Sequence, residues 1–188
     1  MKHDYWCWKN YLTQTQIKNI NRFIMNSPKT DEPRTFEATD LKGNKQKQLK
    51  TSLVKWNIIS PFFPTLWDII TQTNLVNFGY DITPLGITND NVHYNVYSSK
   101  TKDTYNWHID AVPDDRMDIK FTVLMNISEI VYKGGQFKLL VNNEHEIPEL
   151  NTPGNMVMFK SFLHHKVEKV TSGERKSLSL FVKGPAFK

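Results

Sequence analysis

Cysteine is almost missing from this sequence. Cys7 is the single cysteine among 188 residues, so the chain forms no internal disulfide and no zinc cluster of several thiolates. Long apolar runs are missing too, because no stretch approaches the roughly 20 consecutive apolar residues of a membrane-spanning helix. The first residues, "MKHDYWCWKN", also lack the apolar segment of a secretory signal. We therefore expect a cytoplasmic protein without a membrane partner, in the host-cell cytoplasm if a phage encodes it.

Concentrated charge of one sign is also missing. Lys and Arg total 24 and Asp and Glu total 19, for a net charge of +5. The basic residues are scattered apart from one lysine-rich patch, "KGNKQKQLK". A nucleic-acid-binding surface usually gathers its basic residues on one face. Nucleic acid is therefore the less favoured class of partner, although charge alone leaves it open.

Bulky apolar residues are abundant by contrast. Hydrophobic residues make up 39% of the chain, with five Trp, seven Tyr and eleven Phe. A chain of this length with that content can bury a substantial core. We predict a single domain over residues 1–188, with a supporting region of helices and strands at 1–88 and a β-rich core at 89–188.

Two amphipathic segments in the first half predict helices. In "LTQTQIKNINRFIMN", isoleucines recur at helical spacing, and Thr13 with Gln16 has the pattern of a capping box. The segment "FPTLWDIITQT" predicts a second helix, and "TSLVKWNII" predicts a strand. Residues 27–51 are polar and contain Pro and Gly, which predicts a mobile loop.

After residue 88 the sequence breaks into short segments rich in β-branched and aromatic residues. Gly, Pro, Asn or Asp separate them, as is typical of strands joined by turns. The segments are "NVHYNVY", "TYNWHID", "IKFTVLMNIS", "GGQFKLLVN", "NMVMFKS", "HHKVEKV" and "KSLSLFVKG". This pattern favours a sandwich or jelly roll over a parallel α/β sheet. The expected fold class is mainly β with N-terminal helices, an α+β arrangement.

One histidine and one aspartate stand two residues apart in "NWHIDAVPDD". If this stretch is a strand, His108 and Asp110 project from one face, and Ile109 points the other way into packing. An imidazole and a carboxylate on one face are suitable ligands for a divalent metal. A third ligand is expected from a distant strand, and "SFLHHKVEKV" offers His164 or His165. Because adjacent strand residues face opposite sides, only one of them can point inward, and alternation leaves the choice open.

A basic residue and a hydroxyl also stand two apart, in "GERKSLSLF". Arg175 and Ser177 share a strand face, and a guanidinium beside a hydroxyl can bind one carboxylate group. Two histidines, one aspartate and a carboxylate-binding arginine fit the ligand triad of non-haem Fe(II) oxygenases. That triad leaves three positions on the metal open.

Residues 89–187 resemble the 2-oxoglutarate/Fe(II)-dependent dioxygenases of the prolyl 4-hydroxylase-like group, especially small bacterial and phage members. The matching pieces are "YNWHID", "TVLMNISE", "YKGGQFKL" and "PGNMVMFKSFLHHKVEKVTSGERKSLSLFVKGP". In that family the distal histidine precedes a valine by two residues and the basic residue by ten. His165, Val167 and Arg175 satisfy this spacing, so the resemblance selects His165. It also implies a double-stranded β-helix, which is a jelly roll of the cupin-like type.

The resemblance implies an enzyme that uses Fe(II), 2-oxoglutarate and dioxygen, with ascorbate as an optional addition. His108, Asp110 and His165 would bind the metal, and Arg175, Ser177 and Tyr97 would bind the cosubstrate. The implied reaction hydroxylates a proline in a peptide or protein partner. Another side chain, a free amino acid or a nucleobase is the alternative substrate, and a non-catalytic metal-binding jelly roll is the alternative function. Residues 27–51 and "AVPDDRM" are expected to border the substrate entrance, and the oligomeric state stays open.

Overall fold

Two antiparallel sheets form the centre of the structure. The computed structural model describes residues 3–26, 36–39, 45–48, 53–56, 63–83, 92–111 and 117–186. Within these ranges the strands are β1 (Tyr5–Trp8), β2 (Phe36–Thr39), β3 (Lys45–Gln48), β4 (Leu53–Trp56), β5 (Val92–Ser98), β6 (Tyr105–His108), β7 (Met117–Asn126), β8 (Lys133–Gly134), β9 (Phe137–Val141), β10 (Asn143–Glu146), β11 (Met156–Lys160), β12 (His165–Val167), β13 (Val170–Ser172) and β14 (Glu174–Pro185).

The expected strands are confirmed. The segments after residue 88 form β5, β6, β7, β9, β11, β12 and β14, and "TSLVKWNII" contains β4. Six further strands, β1, β2, β3, β8, β10 and β13, were not expected. Each has four residues or fewer, which is too short for an alternating pattern to stand out.

Two helices precede the jelly-roll strands along the chain. Helix α1 (Gln14–Asn26) has the expected capping box, since the Gln16 N–H donates to Thr13 Oγ1 (3.3 Å) and the Thr13 N–H donates to Gln16 Oε1 (2.8 Å). Helix α2 (Phe63–Thr73) continues as a π-helix over Asn74–Phe78. None of the described helices has the length and apolar composition needed to cross a bilayer.

Consecutive main strands alternate between the two sheets. The larger sheet has the order β1-β11-β7-β14-β5-β4, and the smaller has the order β10-β9-β12-β6. Strands β5, β7, β11 and β14 lie in the larger sheet, whereas β6, β9 and β12 lie in the smaller one. This switching between sheets makes the expected jelly roll.

The larger sheet has an apolar core on each face. The core between the two sheets joins Tyr97, Leu124 and Phe159 of the larger sheet to Phe137, Leu139 and Val167 of the smaller one. On the opposite face, the helices pack with buried residues that include Ile17, Ile20, Ile24, Leu66 and Ile70. The larger sheet is thus held in place from both sides, and its inner face looks into the jelly roll.

The prediction of a loop over residues 27–51 missed two strands. β2 and β3 pair antiparallel, with Phe36 opposite Gln48 and Thr39 opposite Lys45, and β2 lies beside β6. β3 is entirely polar, and only Phe36 and Ala38 of β2 are apolar, so composition resembled a loop while backbone pairing produced a hairpin. The rest of 27–51, and residues 112–116 of "AVPDDRM", lie outside the described residues.

Two glycines test the backbone packing behind this fold. Gly154 has φ +88°, and a Cβ there would lie 2.3 Å from Leu12 O, whereas Gly79 has φ +72° with open space around it. We expect Gly79→Ala to cost about 1 kcal/mol for the left-handed conformation alone. Gly154→Ala should cost at least about 2 kcal/mol more, because the backbone must move. Urea unfolding of both variants measures the difference, and equal losses would contradict it.

Candidate metal centre

Two histidines face each other across neighbouring strands of the smaller sheet. His108 ends β6 and is the cross-strand partner of His165 at the start of β12. Directly opposite residues project to the same face of a sheet, and the two ring centroids are 4.0 Å apart. Both side chains are buried. The tertiary pairing of β6 with β12 therefore joins residues that are far apart along the chain.

Asp110 joins these rings from a position beyond the end of β6. Its N–H donates to Ser161 O (3.0 Å), which ties this segment to the one that follows β11. The expectation that Ile109 packs inside is wrong, since Ile109 is 44% exposed. The strand has ended at His108, so the bond to Ser161, rather than strand alternation, holds the Asp110 backbone at the site.

The Asp110 carboxylate lies between the two histidines. Its Oδ1 is 3.6 Å from His108 Nε2, and its Oδ2 is 3.2 Å from His165 Nε2. Two donors bound to one first-row metal ion lie about 3–4 Å apart, so these distances fit a shared ion. The three side chains each offer one ligand atom within 4.8 Å of the others.

The other ring nitrogens are held by backbone carbonyls. His108 Nδ1 lies 2.7 Å from Asn106 O, and His165 Nδ1 lies 3.0 Å from Leu163 O. A carbonyl oxygen only accepts, so Nδ1 carries a proton in each ring. In a neutral ring the Nε2 lone pair then points toward Asp110, which is the arrangement of metal-binding histidines.

This arrangement requires positive charge at its centre. Two lone pairs and a carboxylate repel one another unless a proton or a metal ion lies between them. Burial by itself acts to raise the pKa of the Asp110 carboxyl, but attraction by His165 and His108 and a hydrogen bond from Thr122 hold that pKa well below its usual value. Asp110 is therefore ionised, and the donor set fits a divalent ion.

His164 is not a member of this group of ligand atoms. It is half-buried next to Phe162 and Leu163, and its backbone carbonyl accepts from the Leu140 N–H (2.8 Å). Of the two histidines that strand alternation left open, the structure turns His165 toward Asp110.

Arg175 is a buried cation deeper in the jelly roll. It is 1% exposed, its Nη1 donates to Ser177 Oγ (3.0 Å), and its guanidinium carbon is 5.5 Å from the centre of the Tyr97 ring. Nε and Nη2 are buried and have no hydrogen-bond partner among the described residues. A buried guanidinium in this state lacks its usual counter-charge. A carboxylate would accept both donors side by side.

Tyr97 and Ser177 lie beside Arg175, so a ligand bound to the guanidinium would also contact them. Tyr97 is the cross-strand partner of Arg175, and both it and Ser177 are buried. Burial raises the pKa of the Tyr97 hydroxyl above its ordinary value, although Arg175 acts to lower it. The hydroxyl therefore keeps its proton and is able to donate it in a hydrogen bond.

Several residues at the site were missed from the sequence. Thr122 Oγ1 donates to Asp110 Oδ2 (2.7 Å), and the Tyr105 ring lies 3.6 Å from the His108 ring. Asn95 Nδ2 donates to Ser179 Oγ (3.1 Å) beside the Arg175 group. In sequence these residues look like ordinary strand residues. Only the period-two alternation with Tyr97, Arg175 and Ser177 carried a signal for Asn95 and Ser179.

Comparison with known proteins identifies the family. A sequence profile of the 2OG-Fe(II) oxygenase superfamily matches residues 92–183. This range contains every residue of the candidate metal centre and of the Arg175 group. The matched part of the chain belongs to the 2-oxoglutarate/Fe(II) oxygenase superfamily. It is a dioxygenase that uses Fe(II) and 2-oxoglutarate. Its histidine–aspartate–histidine group fits the metal, and its buried arginine fits the cosubstrate. No curated protein sequence matches the chain at a significant level.

Solved structures of prolyl hydroxylases share the fold of this oxygenase. A Pseudomonas putida prolyl-4-hydroxylase has 15% identity and a TM-score of 0.67, with 99% of this chain and 94% of that chain covered. A viral collagen prolyl hydroxylase from Paramecium bursaria Chlorella virus-1, in complex with 2-oxoglutarate, has 12% identity, a TM-score of 0.69 and 97% of each chain covered. A Trichoplax adhaerens prolyl hydroxylase, in complex with a hypoxia inducible factor oxygen degradation domain peptide fragment, has 16% identity, a TM-score of 0.68 and 95% and 83% covered. At these identities the likeness establishes the fold.

The two adjacent histidines of this oxygenase give a matched test of the metal centre. His165→Ala removes a ring that faces Asp110, so we expect the affinity for Fe(II) to fall at least about 100-fold. His164→Ala should change the affinity for Fe(II) less than about threefold, because His164 is not in the group of ligand atoms. Anaerobic titration of the metal-free protein measures both affinities. Equal effects of the two substitutions would mean that the ligand has been misassigned.

Proposed function

We propose that this oxygenase hydroxylates a proline residue in a peptide or protein, with iron bound by His108, Asp110 and His165 and with 2-oxoglutarate bound by Arg175, Ser177 and Tyr97. The observation that supports this most strongly is the convergence of two Nε2 atoms and a carboxylate in a buried place, combined with a buried arginine that has two unpaired donors on the facing sheet. The histidine–aspartate–histidine group is suited to bind a cation, and Arg175 is suited to bind an anion.

The residues support a cosubstrate with two carboxylates. When bound, iron and 2-oxoglutarate together activate dioxygen, with succinate, carbon dioxide and a hydroxylated substrate as products. Arg175 can neutralise the carboxylate that does not reach the metal. A 2-oxo acid that lacks this second carboxylate would leave the guanidinium unpaired. Burial of Arg175 strengthens this ion pair, because few water molecules compete for either group.

The substrate proposal draws on the fold and on the rim of the metal centre. The related structures from P. putida and the Chlorella virus are prolyl hydroxylases, and the T. adhaerens relative is in complex with a peptide fragment. Beside the metal ligands, Ile109 and Phe162 are both more than 40% exposed, so the rim offers apolar surface to an incoming chain. A prolyl ring and its peptide neighbours fit such a rim.

The hairpin of β2 and β3 lies beside a strand that contributes to the metal centre. β2 is beside β6, and β6 ends at the metal-facing His108. This supports the prediction that residues 27–51 border the substrate entrance. The corresponding expectation for "AVPDDRM" rests on its place directly after Asp110, since its residues 112–116 lie outside the described range.

The proposed function is tested in two steps. Protein, Fe(II) and 2-oxoglutarate mixed without oxygen should give the visible charge-transfer absorption of the ternary complex, and air should then release succinate. Mass spectrometry would next look for a gain of one oxygen atom on proline-containing peptides. Free amino acids, other peptides and nucleotides are assayed in parallel. If one of these compounds gains oxygen and the proline-containing peptides do not, the proposed substrate class is wrong. If neither the visible absorption nor succinate appears, the proposed enzymatic function is wrong.

Arg175 and its neighbour Lys176 provide a matched pair of charge deletions. Arg175→Met removes the buried guanidinium, so we expect the affinity for 2-oxoglutarate to fall at least about 30-fold, as for other buried charge pairs that lose one partner. Lys176 faces the other way, toward Glu129 (3.7 Å), and Lys176→Met should change that affinity less than about threefold. Anaerobic titration followed by the visible absorption measures both. Similar losses in the two variants would contradict the assigned role of Arg175.

A further inference from the structure

Thr122 makes a direct hydrogen bond to the carboxylate that lies between the two histidines. Its Oγ1 donates to Asp110 Oδ2 at 2.7 Å, and the residue is 1% exposed. Thr122 lies on β7, a central strand of the larger sheet, opposite Phe159 of β11 and Phe181 of β14. A β-branched side chain on a central strand has few rotamers open to it, so the hydroxyl is rigidly placed.

The hydroxyl bond restricts how the carboxylate can bind a metal. A carboxylate binds through one oxygen or through both. A donor on Oδ2 competes for the lone pairs of that atom, which leaves Oδ1 as the better ligand. The difference matters because a chelating 2-oxo acid needs two metal positions and dioxygen needs a third. An aspartate bound through both oxygens would occupy one of those three.

We propose that Thr122 is a positioning residue that holds Asp110 as a one-oxygen ligand and so keeps three metal positions open. This inference rests on the proposed function. Asp110 is then held at two points that lie on different elements, through its N–H by Ser161 O and through its carboxylate by Thr122. Both contacts come from the larger sheet or its connections, whereas both histidines come from the smaller sheet. The packing of the two sheets thus aligns the three ligands.

The test compares three threonine substitutions. Thr122→Val keeps the shape and removes the donor, Thr122→Ser keeps the donor, and Thr104→Val removes a hydroxyl that instead donates to Val167 O (2.8 Å) on the strand of His165. Mn(II) is the probe, titrated into the metal-free protein and followed by electron paramagnetic resonance. We expect Thr122→Val to weaken Mn(II) binding about 10- to 100-fold. Thr122→Ser and Thr104→Val should stay within about threefold of wild type.

A spectroscopic readout separates positioning from general damage. With Fe(II) and 2-oxoglutarate under anaerobic conditions, Thr122→Val should shift or lose the visible absorption that Thr104→Val retains. Wild-type Mn(II) affinity and absorption in Thr122→Val would overturn the inference, as would an equal loss in Thr122→Ser. Failure of the wild-type protein to bind Mn(II) would instead overturn the proposed function, and this inference with it.

A separate observation concerns the amide of Asn95. The residue is 2% exposed, and its side chain faces the space between the sheets, as does that of Tyr97 two positions further along β5. Asn95 Nδ2 donates to Ser179 Oγ (3.1 Å). Its Oδ1 is buried and has no hydrogen-bond partner among the described residues. A buried polar atom left unpaired destabilises a fold by about 1–3 kcal/mol, and such atoms are frequent where a ligand binds.

Strand register places Asn95 between Arg175 and the metal centre. Arg175 is opposite Tyr97, and Ser177 is opposite Asn95. Further along β14, Phe181 is opposite Thr122, which contacts Asp110. A 2-oxo acid that reaches from Arg175 to the metal must therefore pass this point. The Ser179 hydroxyl both donates and accepts, so the amide can rotate and keep that bond. The rotation gives up a longer bond from Nδ2 to His93 O (3.4 Å) and turns an N–H inward.

We propose that Asn95 and Ser179 form a second polar contact for 2-oxoglutarate, also resting on the proposed function. Asn95→Leu should weaken 2-oxoglutarate binding about tenfold, equivalent to one lost hydrogen bond to a charged group, and leave Mn(II) affinity within about twofold. Asn143→Leu, at an exposed position of β10, is the control and should change neither. Unchanged 2-oxoglutarate affinity in Asn95→Leu would overturn the contact. Equal losses of affinity for Mn(II) and for 2-oxoglutarate would show that Asn95 acts through packing. That result would also overturn the proposed contact.

Discussion

The pairing of β6 with β12 is the contact on which the metal centre depends. It sets His108 directly opposite His165 and turns both rings into the jelly roll. Each ring is then held by a backbone carbonyl within two residues of it, so the orientation of the Nε2 atoms follows from the strand ends themselves. Local hydrogen bonds orient the ligands, while sheet pairing brings them together. Without that pairing, the chain would contain the same residues and no site.

The larger sheet complements this arrangement with polar groups on its inner face. Arg175, Ser177, Asn95 and Ser179 are all buried, although a jelly-roll interior is normally apolar. The fold accepts them because the opposite face of the same sheet is packed against α1 and α2 through a wide apolar core. The two halves of the chain therefore have distinct physical roles. The helices stabilise the sheet, and the sheet is then able to hold unpaired polar groups for ligands.

Charge is distributed so that the two ligands have separate anchors. The acceptors His108, Asp110 and His165 form a place for a cation, and Arg175 forms a place for an anion on the facing sheet. The hydrogen bond between Thr122 and Asp110 is a direct link between the larger sheet and the metal-facing carboxylate. Metal affinity and cosubstrate affinity are thus expected to depend on different residues, which is why they are separable by experiment.

The amino-acid sequence alone predicted the seven main strands after residue 88, both α-helices with the Thr13 capping box, and the residue types of a metal and carboxylate site. These follow from local periodicity and from side-chain chemistry, which the chain carries at every position. Its prediction of one domain over residues 1–188 and of a cytoplasmic location stays a prediction. The family resemblance had already selected His165 over His164, and the structure shows that His165 faces Asp110. Tertiary contacts were needed to show that Asp110 is held by Ser161 beyond the strand end and that Thr122 and Asn95 lie at the site. These contacts depend on strand pairing and on distances between sheets, and alternation along one strand contains no information about either.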